Sequence, residues 1–420
     1  MKDVSYFLNW FIPAGHGVLL SVFFAATGIM AGQKIRDAAL TGLRIGVGLL
    51  GIQLVFYGLF VENIGPACSS IVNGLGLSSK IADAGWTLPL FICFSSALLP
   101  VVILIILTVN ALMLGLNWTR TINLDIWSYW QILFCAVIIY QVTDNNWVWM
   151  ITAAAISTAL SLVLADLAAP YIQAVFQLPG VSFPQLSAVG WWPVVYFLNR
   201  IMERTPGLKL IRIPDGIKSR YGFLSDPAYL GFFLGVGMGI FARYHYTKIL
   251  GLGISLAAVF MLLPKMVAVV TEGMLSFRQG VSDTLQRVFP EREFYLGLDA
   301  GLALGHPAVM SLAVVMIPVT LLLGCLLPGR VFLPVTDLVM LSFILLITVA
   351  GSGGNFLRAF LLAPVIVVLG LAVAADLAPL CTELGRAAAY QFPEGKDIIS
   401  SFYAGSLQIP WLLWKFRQYF

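Results

Sequence analysis

Apolar segments long enough to cross a lipid bilayer recur along this 420-residue chain. Residues 39–61 and 355–375 are two of them, and at 1.5 Å per helical residue each would span a hydrocarbon core of about 30 Å. Hydrophobic residues make up 60% of the chain, charged residues only 10%, and the mean hydropathy is +0.92. Since a water-soluble fold of this size needs more polar surface, the sequence predicts an all-α polytopic membrane protein.

About eleven membrane crossings are predicted. They fall at 15–32, 39–61, 94–116, 126–143, 147–166, 228–243, 249–271, 308–327, 336–350, 355–375 and 404–416. Two further apolar stretches, 64–92 and 294–305, are interrupted by glycine and aspartate. They are predicted to be re-entrant, because a membrane tolerates such backbone only where protein or a water-filled cavity covers it.

Similar residues recur in the same order in the two halves of the chain. The matched residues are Gly28, Asp83, Asp125 and Asn146 in the first half and Gly239, Asp299, Asp337 and Asn355 in the second. The offset between partners stays between 209 and 216 residues. A nearly constant offset predicts two five-crossing repeats, which many transporters possess.

The predicted organisation follows from this repeat. The first repeat is 1–166, with a scaffold part at 15–61 and a core part at 64–166. The second repeat is 228–376, with a scaffold part at 228–271 and a core part at 294–376. Residues 167–227 join them through an interfacial helix at 186–199 and a basic segment, and residues 377–420 contain the last crossing.

The orientation is predicted from the basic residues. The densest cluster comprises Arg200, Arg204, Lys209, Arg212, Lys218 and Arg220. Because short cytoplasmic loops carry an excess of Lys and Arg, this segment is predicted to be cytoplasmic. The N-terminus is then outside, the C-terminus cytoplasmic, and the two repeats inverted. If 186–199 crosses the membrane, the repeats are parallel instead.

The stretch GLDAGLALGHPA, residues 297–308, places an aspartate and a histidine among glycines in apolar surroundings. An intramembrane carboxylate is costly unless it is paired or faces water, so Asp299 is a candidate functional residue. The alternative is that Asp299 caps the following helix, and the two roles are compatible. His306 is either a ligand of the same solute or a structural histidine.

Three other polar stretches interrupt apolar sequence, at 117–131, 181–190 and 350–358. Together with the acidic segments they give a candidate substrate-binding set of Asp83, Gly85, Trp86, Asn123, Asp125, Trp130, Gln131, Pro184, Gln185, Asp299, His306 and Asn355. Aromatic rings pack against the C–H face of a sugar, and amides bond its hydroxyls, so the set favours a polyhydroxylated solute. Asn123 and Asp125 are also suited to capping the helix that begins at residue 126.

Signals for intrinsic catalysis are missing from the sequence. There is no P-loop, HExxH or GxSxG motif, and the three histidines have no metal-ligand spacing, so no catalytic residue, metal or cofactor is predicted. The five cysteines are scattered through apolar segments and are predicted to be small buried side chains. With a net charge of +4 and no soluble basic domain, a nucleic acid is not an expected partner.

The motifs TRTINLDIWSYW, SDPAYLGFFLGVGMGI, GLDAGLALGHPAV and LPGRVFLPVTDL resemble, in order and spacing, the galactitol-type enzyme IIC of the bacterial phosphoenolpyruvate-dependent sugar phosphotransferase system. The resemblance implies a fold shared with the ascorbate-type enzyme IIC. That fold is a homodimer in the inner membrane, in which a V-shaped scaffold holds a mobile core that moves like an elevator.

The resemblance also implies partners. A separate enzyme IIB, supplied by enzyme IIA, would phosphorylate the imported solute from a phosphocysteine, so this chain would be a transport subunit and not an enzyme by itself. We expect the basic segment at 200–220 to dock enzyme IIB; the alternative is that it only fixes the topology.

This chain departs from the family pattern at three places. Gln131 stands where relatives often have histidine, Gln185 stands where some have it, and Ser352-Gly353-Gly354-Asn355 replaces His-Gln-Gly-Asn. A sugar alcohol such as galactitol is the expected substrate. The alternatives are an ascorbate-like substrate, or an ion-coupled secondary transporter that uses Asp83, Asp299 or Asp337.

Overall fold

The computed structural model describes residues 16–30, 32–76, 79–205, 226–288, 292–327, 332–393 and 395–417. Their α-helices are α1 His16–Met30, α2 Ile35–Val55, α3 Glu62–Gly74, α4 Thr87–Phe94, α5 Leu99–Gly115, α6 Ile126–Val142, α7 Trp147–Phe176, α8 Leu186–Val189, α9 Trp192–Arg204, α10 Pro227–Phe241, α11 Tyr246–Val288, α12 Pro307–Leu326, α13 Leu341–Gly351, α14 Phe356–Ala387, α15 Phe402–Ser406 and α16 Gln408–Arg417. A π-helical stretch, Phe56–Val61, joins α2 to α3, and 3₁₀ turns lie at Ala300–Gly305 and Asp337–Met340.

The apolar helices make this a membrane-embedded, predominantly helical protein. Within the described ranges, five helices are long and apolar enough to cross a bilayer, and α4 with α5 add a sixth if this pair, bent by 99°, forms one broken span. The helices α6 and α10 and the 337–351 stretch are apolar but shorter.

Two predicted segments are divided in the structure. The stretch predicted as a crossing at 404–416 is α15 and α16, separated at Leu407, and α16 has only 10 residues. The helix predicted at 186–199 is the buried α8 followed by α9. The predicted boundaries differ from the observed ones because apolar composition shows only that a segment is removed from water. It does not show whether that segment forms one helix or two short ones.

The helices of the two predicted scaffold parts pack closely on one another through glycines. A β-carbon at Gly42 would clash with the backbone of α1, and one at Gly48 would lie 2.8 Å from the backbone nitrogen of Val270 in α11. In the second half, Gly231 and Gly235 of α10 likewise abut the backbone of α11. Such small residues let membrane helices approach closely, which favours van der Waals packing where no hydrophobic drive exists.

Five very short β-strands lie among the helices, and none of them was predicted. They are β1 Ala82–Asp83, β2 Thr121–Asn123, β3 Val181–Ser182, β4 Tyr295–Gly297 and β5 Ile399–Ser400. β4 lies between β2 and β3, β1 pairs with β5, and all pairs are parallel. Strands of two or three residues leave no alternating pattern in the sequence that would reveal them.

Two helices are buried on nearly all sides. Every residue of α13 except Phe343 is buried, as is most of α6, so both helices lie within the protein interior. The five cysteines are unpaired; four are buried, and Cys325 is exposed.

Candidate solute-binding site

The parallel strands bring polar residues from distant parts of the chain to one place. Asp125 follows β2, Gln185 follows β3 and Asp299 follows β4. Because the carboxyl ends of parallel strands meet at the same edge of a sheet, these three residues leave the sheet together. Backbone hydrogen bonds stabilise the pairing at this edge. Leu124 N–H donates to the Gly297 carbonyl at 3.0 Å, and Leu298 N–H donates to the Ser182 carbonyl at 2.9 Å.

A small cavity lies beside these strand ends. Its lining residues are Tyr57, Trp86, Trp127, Trp130, Gln185, Asp299, Met340, Phe343 and Tyr403. Its volume is about 30 Å³. On that scale one water molecule needs about 10–15 Å³, so the cavity has room for two or three waters.

The polar end of the cavity is built from Asp299 and Gln185. The Gln185 amide donates from Nε2 to Asp299 Oδ1 at 2.8 Å, and the Gly301 N–H donates to the same oxygen at 2.8 Å. Asp299 therefore caps the 3₁₀ turn, as one of the two predicted roles required. Its second oxygen, Oδ2, accepts no hydrogen bond from the described residues, so it remains available to a ligand.

Two further polar atoms in the cavity wall have no hydrogen-bond partner among the described residues. They are the indole nitrogen of Trp130, a donor, and Oε1 of Gln185, an acceptor. Both side chains are buried, with 4% and 1% of their surface exposed. Since burying an unpaired polar group is costly, these two atoms are candidates for hydrogen bonds to a ligand with both donor and acceptor capacity.

Five of the other lining residues form a continuous aromatic series. Tyr57 contacts Trp86 at 6.2 Å between ring centroids, Trp86 contacts Trp127 at 6.1 Å, and Trp127 contacts Trp130 at 6.4 Å. Trp130 stacks on Tyr403 at 5.6 Å. Such faces suit the C–H groups of a polyol, while the polar end suits its hydroxyls.

The predicted residues Asn123 and Asp125 are buried next to the cavity but are engaged locally. The Asp125 carboxylate accepts from Trp127 N–H at 3.0 Å and Ser128 N–H at 3.1 Å, which makes it the N-cap of α6. Asn123 donates to Ser128 Oγ at 2.9 Å and accepts from Asp125 N–H at 3.0 Å. Both residues orient the turn that presents Trp127 and Trp130.

Gln131 and Pro184 do not line the cavity but hold its lining residues in place. Gln131 is fully buried and donates from Nε2 to the Tyr403 hydroxyl at 2.9 Å and to Ser187 Oγ at 3.2 Å. It thereby fixes the Tyr403 ring against Trp130. Pro184 is buried, and its carbonyl accepts a hydrogen bond from the Ser161 hydroxyl. It precedes Gln185 and fixes where that side chain begins.

The predicted residues Asp83 and Gly85 shape the loop that carries Trp86. The Asp83 carboxylate accepts from Thr336 N–H at 2.8 Å, Asp337 N–H at 2.9 Å and Gly85 N–H at 3.2 Å. Gly85 has a φ of +73°, and a β-carbon there would lie 2.6 Å from Thr336 Cγ2. Only glycine fits this close approach of the two halves of the chain.

The last two predicted residues, His306 and Asn355, lie apart from this cavity. His306 lines a second cavity of about 430 Å³, together with Pro264 and Val267 of α11, and packs edge-on against Phe176. Asn355 is the N-cap of α14 and accepts from Arg358 N–H at 3.3 Å. Four members of the predicted set line the cavity, and six support it.

Five cavity-lining residues were absent from the predicted set: Tyr57, Trp127, Met340, Phe343 and Tyr403. Trp127 lies three residues before Trp130, so helical spacing could have found it. Tyr57 lies in a π-helical stretch, an irregularity that often marks functional sites. Tyr403 arrives through the pairing of β5 with β1, which no local pattern reveals.

The basic segment is only partly described. Arg200 and Arg204 lie in α9, whereas Lys209, Arg212, Lys218 and Arg220 lie outside the described residues. The segment's predicted docking role therefore stays a prediction.

Comparison with known proteins shows the family of this chain. Residues 11–395 match the family model EIIC-GAT, described as "PTS system sugar-specific permease component". The chain is 30% identical to the galactitol-specific EIIC component of the PTS of Escherichia coli, in strains K12 and O157:H7, over 97% of this chain and 90% of the relative. It is 27% identical to a putative permease IIC component of Escherichia coli K12 over 95% of this chain and 91% of the relative.

The chain therefore belongs to the EIIC-GAT family of sugar permease components. It is a membrane-embedded sugar transport subunit of a phosphotransferase system and does not perform catalysis by itself.

Proposed function

We propose that the cavity bounded by Asp299, Gln185 and Trp130 binds a sugar alcohol, with galactitol as the first candidate. Because its volume of about 30 Å³ holds only two or three waters, the cavity must widen to admit a hexitol. The observation that carries this proposal is the pair of unpartnered buried atoms, Trp130 Nε1 and Gln185 Oε1. One hydroxyl both accepts and donates, so the hydroxyls of a polyol satisfy the indole donor and the amide acceptor together. Another hydroxyl donates to the free Oδ2 of Asp299.

The substrate class is supported by the relatives as well as by the cavity. The relatives with 30% identity are galactitol-specific components. Asp299 disfavours an anionic solute such as ascorbate, because a second negative charge beside a partly buried carboxylate is repelled. A neutral, linear polyol avoids this repulsion and presents a hydroxyl on every carbon.

Binding is measured by titrating the purified protein with galactitol, with ascorbate and with sodium chloride alone. We expect galactitol to bind and ascorbate not to bind. Saturable binding of ascorbate with no response to galactitol would overturn the assignment of a polyol.

We propose further that the core, residues 64–166 and 294–376, carries the solute across the membrane by moving as one body. Contacts between the halves support this. β2 pairs with β4, Asp83 binds the backbone of Thr336 and Asp337, and Gln185 binds Asp299. Separating these parts would leave polar groups unpaired in a low-dielectric setting. The scaffold helices α1, α2, α10 and α11 stay packed together, form the dimer interface and frame the moving core.

Cysteine pairs in a cysteine-free background test this movement. The pair at Thr121 and Tyr295 lies within the core, and the pair at Gly48 and Val270 lies within the scaffold. The pair at Gly305 and Val267 joins core to scaffold, since a β-carbon at Gly305 would lie 2.9 Å from Val267. We expect solute to change cross-linking only of the third pair. A change in the first pair would favour local gating.

The remaining parts of the proposal concern topology and coupling. The chain forms two inverted repeats of five crossings in the inner membrane, with re-entrant segments, the N-terminus outside and the C-terminus cytoplasmic. A separate enzyme IIB, supplied by enzyme IIA, docks on the basic segment at 200–220 and phosphorylates the solute. Clustered Lys and Arg steer a negatively charged phosphoprotein, and this steering weakens with salt.

The docking role is tested by replacing Arg212, Lys218 and Arg220 with Gln. Transfer from phosphorylated enzyme IIB should then slow most at low ionic strength. An unchanged rate and salt dependence would leave these residues with a topological role only.

A further inference from the structure

One buried carboxylate, that of Asp337, joins two separate parts of the cavity wall. Asp337 has 0% of its surface exposed and lies at the start of a 3₁₀ turn, outside the cavity itself. Its Oδ1 accepts from the backbone N–H of Trp86 at 2.6 Å. Its Oδ2 accepts from the backbone N–H of Tyr403 at 2.8 Å and from Ser401 Oγ at 2.8 Å.

Through these hydrogen bonds, Asp337 connects Trp86 with Tyr403, two members of the aromatic series that do not contact each other within it. Trp86 lies near the beginning of the series, and Tyr403 is its last member. Tyr403 in turn stacks on Trp130, whose indole N–H is one of the unpartnered donors. A displacement of the Asp337 carboxylate would therefore move Trp86, Tyr403 and the Trp130 donor that lies between them in the series.

The carboxylate is suited to this role because its two oxygens accept separately, Oδ1 from Trp86 and Oδ2 from Tyr403 and Ser401. Asparagine has the same shape but replaces one oxygen with an NH₂ donor. In Asp337→Asn that donor faces either the Trp86 N–H or the Tyr403 N–H with its Ser401 neighbour, so one side loses its acceptor.

We propose that Asp337 is a positioning residue, which sets the distance between Trp86 and Tyr403 and thereby the fit of the cavity to its solute. The proposal rests on the polyol-binding function only for its effect on affinity. The effect on the aromatic rings is independent of any solute.

A matched control residue is present in the chain. Asp376 of α14 also lies in the membrane region, accepts from the indole N–H of Trp411 at 2.7 Å and pairs with Lys415 at 2.8 Å. None of these three residues lines the cavity. Asp376→Asn therefore removes a partly buried carboxylate that accepts from a tryptophan, at a place where no effect on the cavity is expected.

The experiment is ¹⁹F NMR of the full chain labelled with 5-fluorotryptophan, with resonances of Trp86, Trp130 and Trp411 assigned by Trp→Phe variants. Without solute, Asp337→Asn should shift or broaden the Trp86 and Trp130 signals and leave Trp411 unchanged. Asp376→Asn should do the reverse. Galactitol affinity should fall in Asp337→Asn by at most about ten- to a hundredfold, because the lost charge-assisted hydrogen bond lies within the protein and only its effect on ring position reaches the solute. Affinity should stay constant in Asp376→Asn.

Unchanged Trp86 and Trp130 signals in Asp337→Asn would overturn the proposal, as would an equal loss of affinity in both variants. If Asp337→Asn does not reach the membrane, Ser401→Ala is used instead, because it removes one donor to Oδ2. It should shift the same Trp86 and Trp130 signals by a smaller amount. Unchanged signals in Ser401→Ala would also overturn the proposal. If the unchanged protein binds no polyol, the proposed function fails while the ¹⁹F comparison still decides the role of Asp337.

Discussion

Replacing Asp299 should weaken solute binding far more than it weakens the fold. Oδ1 of this carboxylate is used by Gln185 and Gly301, which leaves Oδ2 for solute hydroxyls. A hydrogen bond to a charged group is worth about 1.5–3 kcal/mol. Losing one such bond in Asp299→Ala costs roughly ten- to a hundredfold in affinity, and losing two costs on the order of a hundredfold or more.

Asp299→Asn separates binding from capping. It keeps one oxygen, which can still accept from Gly301 and Gln185, and replaces Oδ2 with a neutral donor. We therefore expect Asp299→Asn to melt at the temperature of the unchanged protein and to bind galactitol more weakly, by about one charge-assisted hydrogen bond.

Both variants are assayed by calorimetric titration and thermal melting of the purified protein. A Kd for Asp299→Ala equal to that of the unchanged protein would refute the assignment of the site. A loss of binding that follows the loss of melting temperature in both variants would assign Asp299 to the fold alone.

Three further substitutions have distinct expected outcomes. Trp130→Phe keeps the ring but removes the unpartnered N–H, so affinity for galactitol should fall about two- to tenfold, as for one neutral hydrogen bond; equal affinity in a titration would contradict this role. Gly85→Ala should lower the melting temperature, because a positive φ costs a side chain about 1–2 kcal/mol and the β-carbon meets Thr336; an unchanged melting curve would be inconsistent with the close approach seen here. His306→Ala should leave the Kd for galactitol unchanged, since His306 lies in the second cavity; a large loss of equilibrium affinity would return it to the solute site.

The sequence predicted the helical membrane class because apolar run length is a direct consequence of bilayer thickness. It also selected Asp299, Gln185 and Trp130, which converge on one cavity. The sequence pointed to them through their polarity, because a carboxylate or amide amid apolar residues has few structural explanations.

Other features were hidden because they depend on pairings between distant parts of the chain. The five strands are two or three residues long, and their partners lie more than 100 residues apart. Tyr403 enters the cavity through one of these pairings, and Asp337 reaches Trp86 through another contact between the halves. A single sequence carries no signal for such contacts.

His306 lies close to Asp299 in sequence but outside the cavity in the structure. It is seven residues from Asp299, and the sequence left it either a ligand of the same solute or a structural histidine. The 3₁₀ turn Ala300–Gly305 lies between the two side chains and places His306 against Phe176 and α11. Proximity in sequence was therefore a poor guide to proximity in space across an irregular turn.

The central claim, that a sugar alcohol is imported with coupled phosphorylation, is tested by uptake into vesicles that contain the protein. Enzyme IIB and its phosphoryl donor are sealed inside, and labelled galactitol is added outside. We predict that galactitol accumulates inside only as its phosphate and only with the donor present. Accumulation of unmodified galactitol driven by an ion gradient, with no phosphoryl donor, would contradict the account.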